Sequence, residues 1–182
     1  MTFHPTEIPG VVLVEFRPFR DDRGSFARTF CAREFEAAGL SPVVAQANVA
    51  VSHRAGTLRG LHFQLPPAAE AKLVRCTRGR VFDVAVDLRA GSPTYLRHVH
   101  ALLDPGSETA LYVPEGCAHA YLTLEDGTEV TYQASQFYTP EAEDGLRWDD
   151  PTLAIAWPAE VRVVSPKDAA WPLLADRSPP AL

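Results

Sequence analysis

The chain has 182 residues, enough for one domain with a sizeable core, so a single domain over 1–182 is expected. Its 46% hydrophobic and 22% charged residues suit a soluble globular protein, and its net charge of −6 argues against a nucleic-acid partner, though not against a small anionic ligand held by local cations. Cys31, Cys76 and Cys117 are too few and too scattered for a disulfide framework or a zinc knuckle, no signal core opens the chain, and no apolar run approaches the ~20 residues of a membrane span. No membrane partner and a cytoplasmic location are therefore expected.

The predicted elements are short and separated by frequent turn signals. Val11–Phe16 reads as a strand, Asp21–Gly24 (DDRG) as a turn, and Ser25–Phe30 as a second alternating segment. Ala32–Gly39 is the helical candidate, with Gly39 placed as a C-terminal cap. Thr57–Gln64 and Lys72–Thr77 are strand-like. Arg80–Leu88 alternates most clearly, with Phe82, Val84, Val86 and Leu88 on one face and Asp83 and Asp87 on the other. Leu111–Val113, Ala120–Leu124 and Val130–Ser135 follow at short spacing. Many short strands between Gly and Pro turns predict an all-β sandwich or barrel with a few short helices. A frayed tail is expected from about residue 177.

The chemistry-bearing residues fall in three places. In Arg59–Lys72 (RGLHFQLPPAAEAK), strand parity puts Gly60, His62 and Gln64 on one face, and Gly60 permits a bulge that turns Arg59 to the same side as His62. Lys72 shares its face with Val74 and Cys76. An ammonium on an apolar face either snorkels to water or faces a ligand cavity. His119 follows VPEGCA, behind a Pro-x-Gly turn, as a turn histidine or as a second group beside His62. A metal-binding barrel of this kind carries H-x-H, a Glu and a later His. This chain has Gln64 and Lys72 where two of those ligands belong, so neither a metal nor another cofactor is expected. Tyr132 reads as a strand tyrosine with a wet hydroxyl, and Asp168 as a helix cap or an exposed loop charge.

Taken together, the strings DDRGSF, QAN, TLRGLHFQ, EAKLVRCTRGRVFDVAVDLRAGSPTY, LYVPEGCAHAYLTLED, EVTYQ, FYTPEAEDGLRWDDP, IAWP and SPKD resemble the dTDP-4-dehydrorhamnose 3,5-epimerase family. The resemblance implies a cupin-type jelly-roll barrel, a homodimer, and a nucleotide-linked 4-keto-6-deoxy hexose as substrate. It implies that His62 removes the proton beside the C4 ketone, supported by Asp168. Lys72 would stabilise the enolate, and Tyr132 would return a proton from the opposite face. Arg59, His119 and Lys167 would lie near the sugar or diphosphate, with Arg23 reaching in from the partner. Gln46 and Asn48 would hydrogen-bond the ligand, and Phe26 and Tyr138 would pack on the base. The chain departs from the family pattern at Arg28, where a glutamate contacts the base, at Ala47, Val49 and Ala50, and at Ala120 and Tyr121. Related readings are epimerisation at C3 or C5 alone, another nucleotide, or sugar-nucleotide binding without turnover.

Overall fold

The computed structural model describes residues 1–178, 180 and 182. The strands are β1 (Thr2–Pro5), β2 (Val12–Glu15), β3 (Phe19–Asp21), β4 (Gly24–Phe26), β5 (Gln46–Ser52), β6 (Thr57–Gln64) and β7 (Lys72–Arg78). They continue as β8 (Val81–Asp87), β9 (His98–Leu103), β10 (Thr109–Val113), β11 (Cys117–Thr123), β12 (Thr128–Ala134), β13 (Glu143–Gly145) and β14 (Val163–Val164). Two short α-helices accompany them, α1 (Ala32–Ala37) and α2 (Pro166–Ala169). One sheet runs β1-β2-β10-β7-β12-β5; the other runs β13-β6-β11-β8-β9, with β14 added in parallel to β6. The chain crosses repeatedly between the sheets, as in a jelly roll. The all-β expectation therefore holds.

Three apolar layers hold the sheets. The central layer takes Val74, Cys76, Leu111 and Val130 from the first sheet and Val81, Ala85, Leu103 and Cys117 from the second. The back of the second sheet, with Phe82, Val84, Val86 and Leu122, is covered by the C-terminal third through Leu146, Leu153, Trp157 and Val164. The back of the first sheet, with Val14, Leu73 and Tyr112, is covered by Phe35 of α1. Covering both faces of the second sheet explains why every residue of β8 and of β11 is buried. Asp83 and Asp87 therefore sit inside the protein, and each has hydrogen-bond partners, as a buried carboxylate must.

The structure shifts several expected boundaries. The segment expected to alternate over Ser25–Phe30 forms β4 only to Phe26, and β3 and β4 make a separate two-stranded hairpin. Arg28 is thus off the strand, and its Nη1 lies 3.1 Å from Glu34 Oε1. The alternation expected over Ser25–Phe30, which would put Arg28 on the same face as Phe26, is thereby corrected. The expected tail includes residues 179 and 181, which lie outside the described residues. Beside them, Arg177 pairs with Asp144, and the Leu182 carbonyl accepts the Ala90 N–H at 3.2 Å.

Candidate active site

The sequence at Gly60 builds the wall of the site. Gly60 has φ +124°, and a Cβ there would come within 2.4 Å of the Ala120 Cβ and 2.6 Å of the His119 carbonyl oxygen. Only a glycine meets both conditions. The β6–β11 register pairs His62 with His119, then shifts, so that Arg59 faces Tyr121. The shift brings Arg59 and His62 to one cavity, as the bulge reading expects.

That inner cavity has a volume of ≈570 Å³, and Arg59, His62, Lys72, His119, Tyr132 and Asp168 are among its lining residues. A second, outer cavity of ≈350 Å³ is lined by Gln46, Asn48, Glu70, Tyr138 and Glu143. His62, Lys72 and Tyr132 line both and form the seam between them. His62 belongs to the second sheet, whereas Lys72 and Tyr132 belong to the first. The groups therefore face one another across the gap between the sheets.

The His62 Nε2–H donates to Asp168 Oδ1 at 2.7 Å. Asp168 is buried, and its Oδ2 also accepts the Gly60 N–H at 3.3 Å. Burial pushes its carboxyl up, but the hydrogen bond and charge of His62, with the donors of Gly60 and Ser165, outweigh this and hold it below the ordinary carboxylate range. The residue that caps α2 is Ser165, whose Oγ accepts the Asp168 N–H at 3.0 Å. Asp168 is neither an exposed charge nor the cap, so its side chain is left for His62. Trp171, just past α2, packs where Gly145 leaves room: a Cβ there would lie 2.4 Å from the indole.

His119 Nε2 lies 2.7 Å from Asp83 Oδ1, a second buried histidine–carboxylate pair. Among the described residues, the hydroxyls of Ser52 and Tyr121 and Asp83 Oδ2 are buried without a partner, and Tyr121 lines the inner cavity. Burial pushes the Tyr121 phenol up to about 12. Burial also raises the Tyr132 phenol; the Glu70 and Glu143 carboxylates add to the effect and Arg59 opposes it. In the outer cavity the Tyr138 hydroxyl donates to Glu143 Oε2 at 2.7 Å, and Lys167 Nζ lies 2.7 Å from Glu143 Oε1. Gln46 and Asn48 share the inward face of β5, where the Gln46 side chain accepts the Tyr138 N–H. Gln64 is spent on structure. Its Nε2 donates to the Ala68 and Phe137 carbonyls and its Oε1 accepts the Thr139 N–H, which ties down the loops around the mouth.

Ten of the twelve residues singled out in the sequence line these two cavities. The other two, Arg23 and Phe26, lie on the β3–β4 hairpin and line neither. Sequence reasoning passed over Glu70, Asp83 and Glu143, which pair with Lys72, His119 and Lys167. Asp83 carried a signal, a carboxylate in the middle of the most apolar strand. Glu70 and Glu143 looked like ordinary loop charges.

Comparison with known proteins agrees with this geometry. The family profile described as dTDP-4-dehydrorhamnose 3,5-epimerase matches residues 5–176. A dTDP-4-dehydrorhamnose 3,5-epimerase from Sinorhizobium fredii is 44% identical over 177 residues, covering 97% of this chain and 91% of the relative. The Bacillus anthracis dTDP-4-dehydrorhamnose 3,5-epimerase with TDP and PPi bound superposes with a TM-score of 0.92 at 38% identity, covering 95% of this chain and 99% of that one. ChmJ, a 3'-monoepimerase from Streptomyces bikiniensis in complex with dTDP-quinovose, gives 0.88 at 39% identity, covering 95% of this chain and 88% of that one. With the profile spanning nearly its whole length and a close relative in the same family, the chain belongs to the dTDP-4-dehydrorhamnose 3,5-epimerase family.

Proposed function

We propose that this protein inverts C3 and C5 of a dTDP-linked 4-keto-6-deoxy hexose in deoxysugar synthesis, working as a cytoplasmic homodimer. The observation that carries the reading is the His62–Asp168 pair set across one seam from Lys72 and Tyr132. With Nε2–H committed to Asp168, the basic lone pair of His62 is on Nδ1. The ionised carboxylate stabilises the imidazolium formed when His62 takes a proton α to the ketone. The electrons move into the C4 oxygen, and the Lys72 ammonium meets the developing charge, the largest single aid available to such a step. Tyr132, kept protonated by its raised phenol, returns a proton on the other face, and inversion requires an acid and a base on opposite faces. No metal or organic cofactor enters these steps.

Arg59, His119 and Lys167 serve the sugar and diphosphate, Gln46 and Asn48 hydrogen-bond the ligand, and Tyr138 packs on the base. The outer cavity is rich in carboxylate, so a diphosphate there needs a further cation. Arg23 suits that need when supplied by a second copy: its side chain is 89% exposed on a projecting hairpin whose Phe19 and Phe26 are also bare. Guanidinium groups grip phosphate oxygens in a fork.

The test is NMR in deuterated water with dTDP-4-keto-6-deoxyglucose. Deuterium is expected at C3 and at C5. Deuterium at C3 alone would assign the narrower, monoepimerase activity. Binding without exchange at either carbon would replace the enzyme by a binding protein.

A further inference from the structure

Lys72 is not a lone cation in its cavity. Its Nζ lies 2.9 Å from Glu70 Oε1, and both side chains are only 12% exposed. Glu70 sits in the short connection between β6 and β7, and that connection is braced on both sides. The Ala68 N–H donates to the Leu65 carbonyl at 3.0 Å, and Gln64 Nε2 donates to the Ala68 carbonyl at 2.8 Å. The Ala71 N–H donates to Ser135 Oγ at 2.8 Å, and the Ser135 N–H returns a bond to the Ala71 carbonyl at 2.9 Å. The backbone on either side of Glu70 is thus anchored by the loop. A lysine, by contrast, is a point charge on a flexible stem, and holding it in one place costs side-chain entropy.

The pair sits where position matters. Glu70, Lys72, His62 and Tyr132 line the same outer cavity. We propose that Glu70 is a positioning residue for the epimerisation, its carboxylate holding the Lys72 ammonium at the seam of the two cavities, which Tyr132 also lines. This rests on the reaction proposed above. The same carboxylate has a second effect. After burial it is the largest influence raising the Tyr132 phenol, with Glu143 acting in the same sense and Arg59 against. The remaining ionisable groups around these cavities are His62, His119, Tyr121, Tyr138, Lys167 and Asp168. A substrate oxyanion arriving at Lys72 finds the ammonium already aimed, and Glu70 shares it rather than surrendering it.

The test compares Glu70→Gln and Glu70→Asp in steady-state epimerisation across pH, with thermal unfolding as a check on folding. Glu70→Gln is expected to lower kcat about 10- to 100-fold, as small misplacements of catalytic groups do. Its alkaline limb, set by Tyr132, is expected at lower pH than in the wild type. Glu70→Asp keeps the charge and is expected to keep that limb in place while losing part of kcat. A Glu70→Gln enzyme with wild-type kcat and an unmoved limb overturns the proposal. So does an equal loss in both variants with neither limb displaced, since that is the mark of a loop brace alone. Wild-type protein that exchanges at neither carbon would instead sink the reading of the reaction, which separates the two failures.

Discussion

Gly60 holds three roles in one position: it permits a left-handed backbone, allows close approach to β11, and creates the register shift that turns Arg59 toward His62. A methyl group there meets Ala120 and the His119 carbonyl, and the backbone must also be strained to carry it. Gly60→Ala is expected to cost about 3 kcal/mol or more of stability. Urea unfolding checks this, and a loss under ~0.5 kcal/mol would show that the strand relaxes freely. Tyr132 offers a sharper test of mechanism. On the proposed mechanism, His62 would still remove the proton without the Tyr132 hydroxyl and could return only that face's proton or deuteron. Tyr132→Phe is therefore expected to let deuterium into the substrate with its configuration retained, while inversion falls about 100-fold or more. Inversion at an undiminished rate would move the acid to another group.

At the level of elements, the corner after β8 shows how a buried charge fixes a loop. Asp87 is fully buried and accepts from Arg89 Nε at 2.8 Å, Ser92 Oγ at 2.6 Å and Thr94 Oγ1 at 2.6 Å. This accounts for the string VDLRAGSPT: the acid nucleates the turn, and the residues after it supply its donors. Burial pushes the Asp87 carboxyl up, but these donors outweigh it and hold it well below the ordinary range. A depressed folded-state pKa gives stability that is full above the unfolded value of ~3.9 and is lost as pH falls through the folded value. Asp87→Asn is thus expected to cost about 2–4 kcal/mol at pH 7, with the gap to wild type narrowing below about pH 4. Unfolding curves at both pH values would expose an error if the gap stayed constant.

The same scale shows what the sequence made legible. β8, β11 and β12 were readable because core packing on one or both faces imposes apolar periodicity. β5 was not read as a strand. Its inward face carries Gln46 and Asn48 because it lines a cavity, while Val49 and Val51 face outward and exposed, the reverse of the usual pattern. The three-residue β13 has no apolar residue to signal it. In the site, His62, Lys72 and His119 stood out by their odd placement on apolar strands. Asp168 did not, because nothing local distinguishes an acid in the first turn of a helix from one that reaches back 106 positions.

For the whole molecule, two elements carry bare apolar side chains of interest for assembly. Phe19 is 68% and Phe26 76% exposed on the hairpin, and Val49 is 62% exposed on β5, the edge strand of the first sheet. A bare edge with bare aromatics invites pairing, and a two-fold dimer is the commonest closed arrangement. Sedimentation is expected to give a dimer. Arg23→Ala is expected to leave that dimer intact while raising KM for the nucleotide sugar about tenfold, the loss of one charged phosphate contact. A fully active monomer would rule out the shared site.

The C-terminal third does more than cover the second sheet. It carries the carboxylate that pairs with His62, so the proposed catalytic pair joins the middle of the chain to its far end. During synthesis every strand through β12 leaves the ribosome before Asp168, so His62 waits for its partner. On the proposed mechanism, full activity is expected only once α2 has docked against β6. Turnover would then report completed folding, and a chain cut before α2 is expected to lose most of its activity.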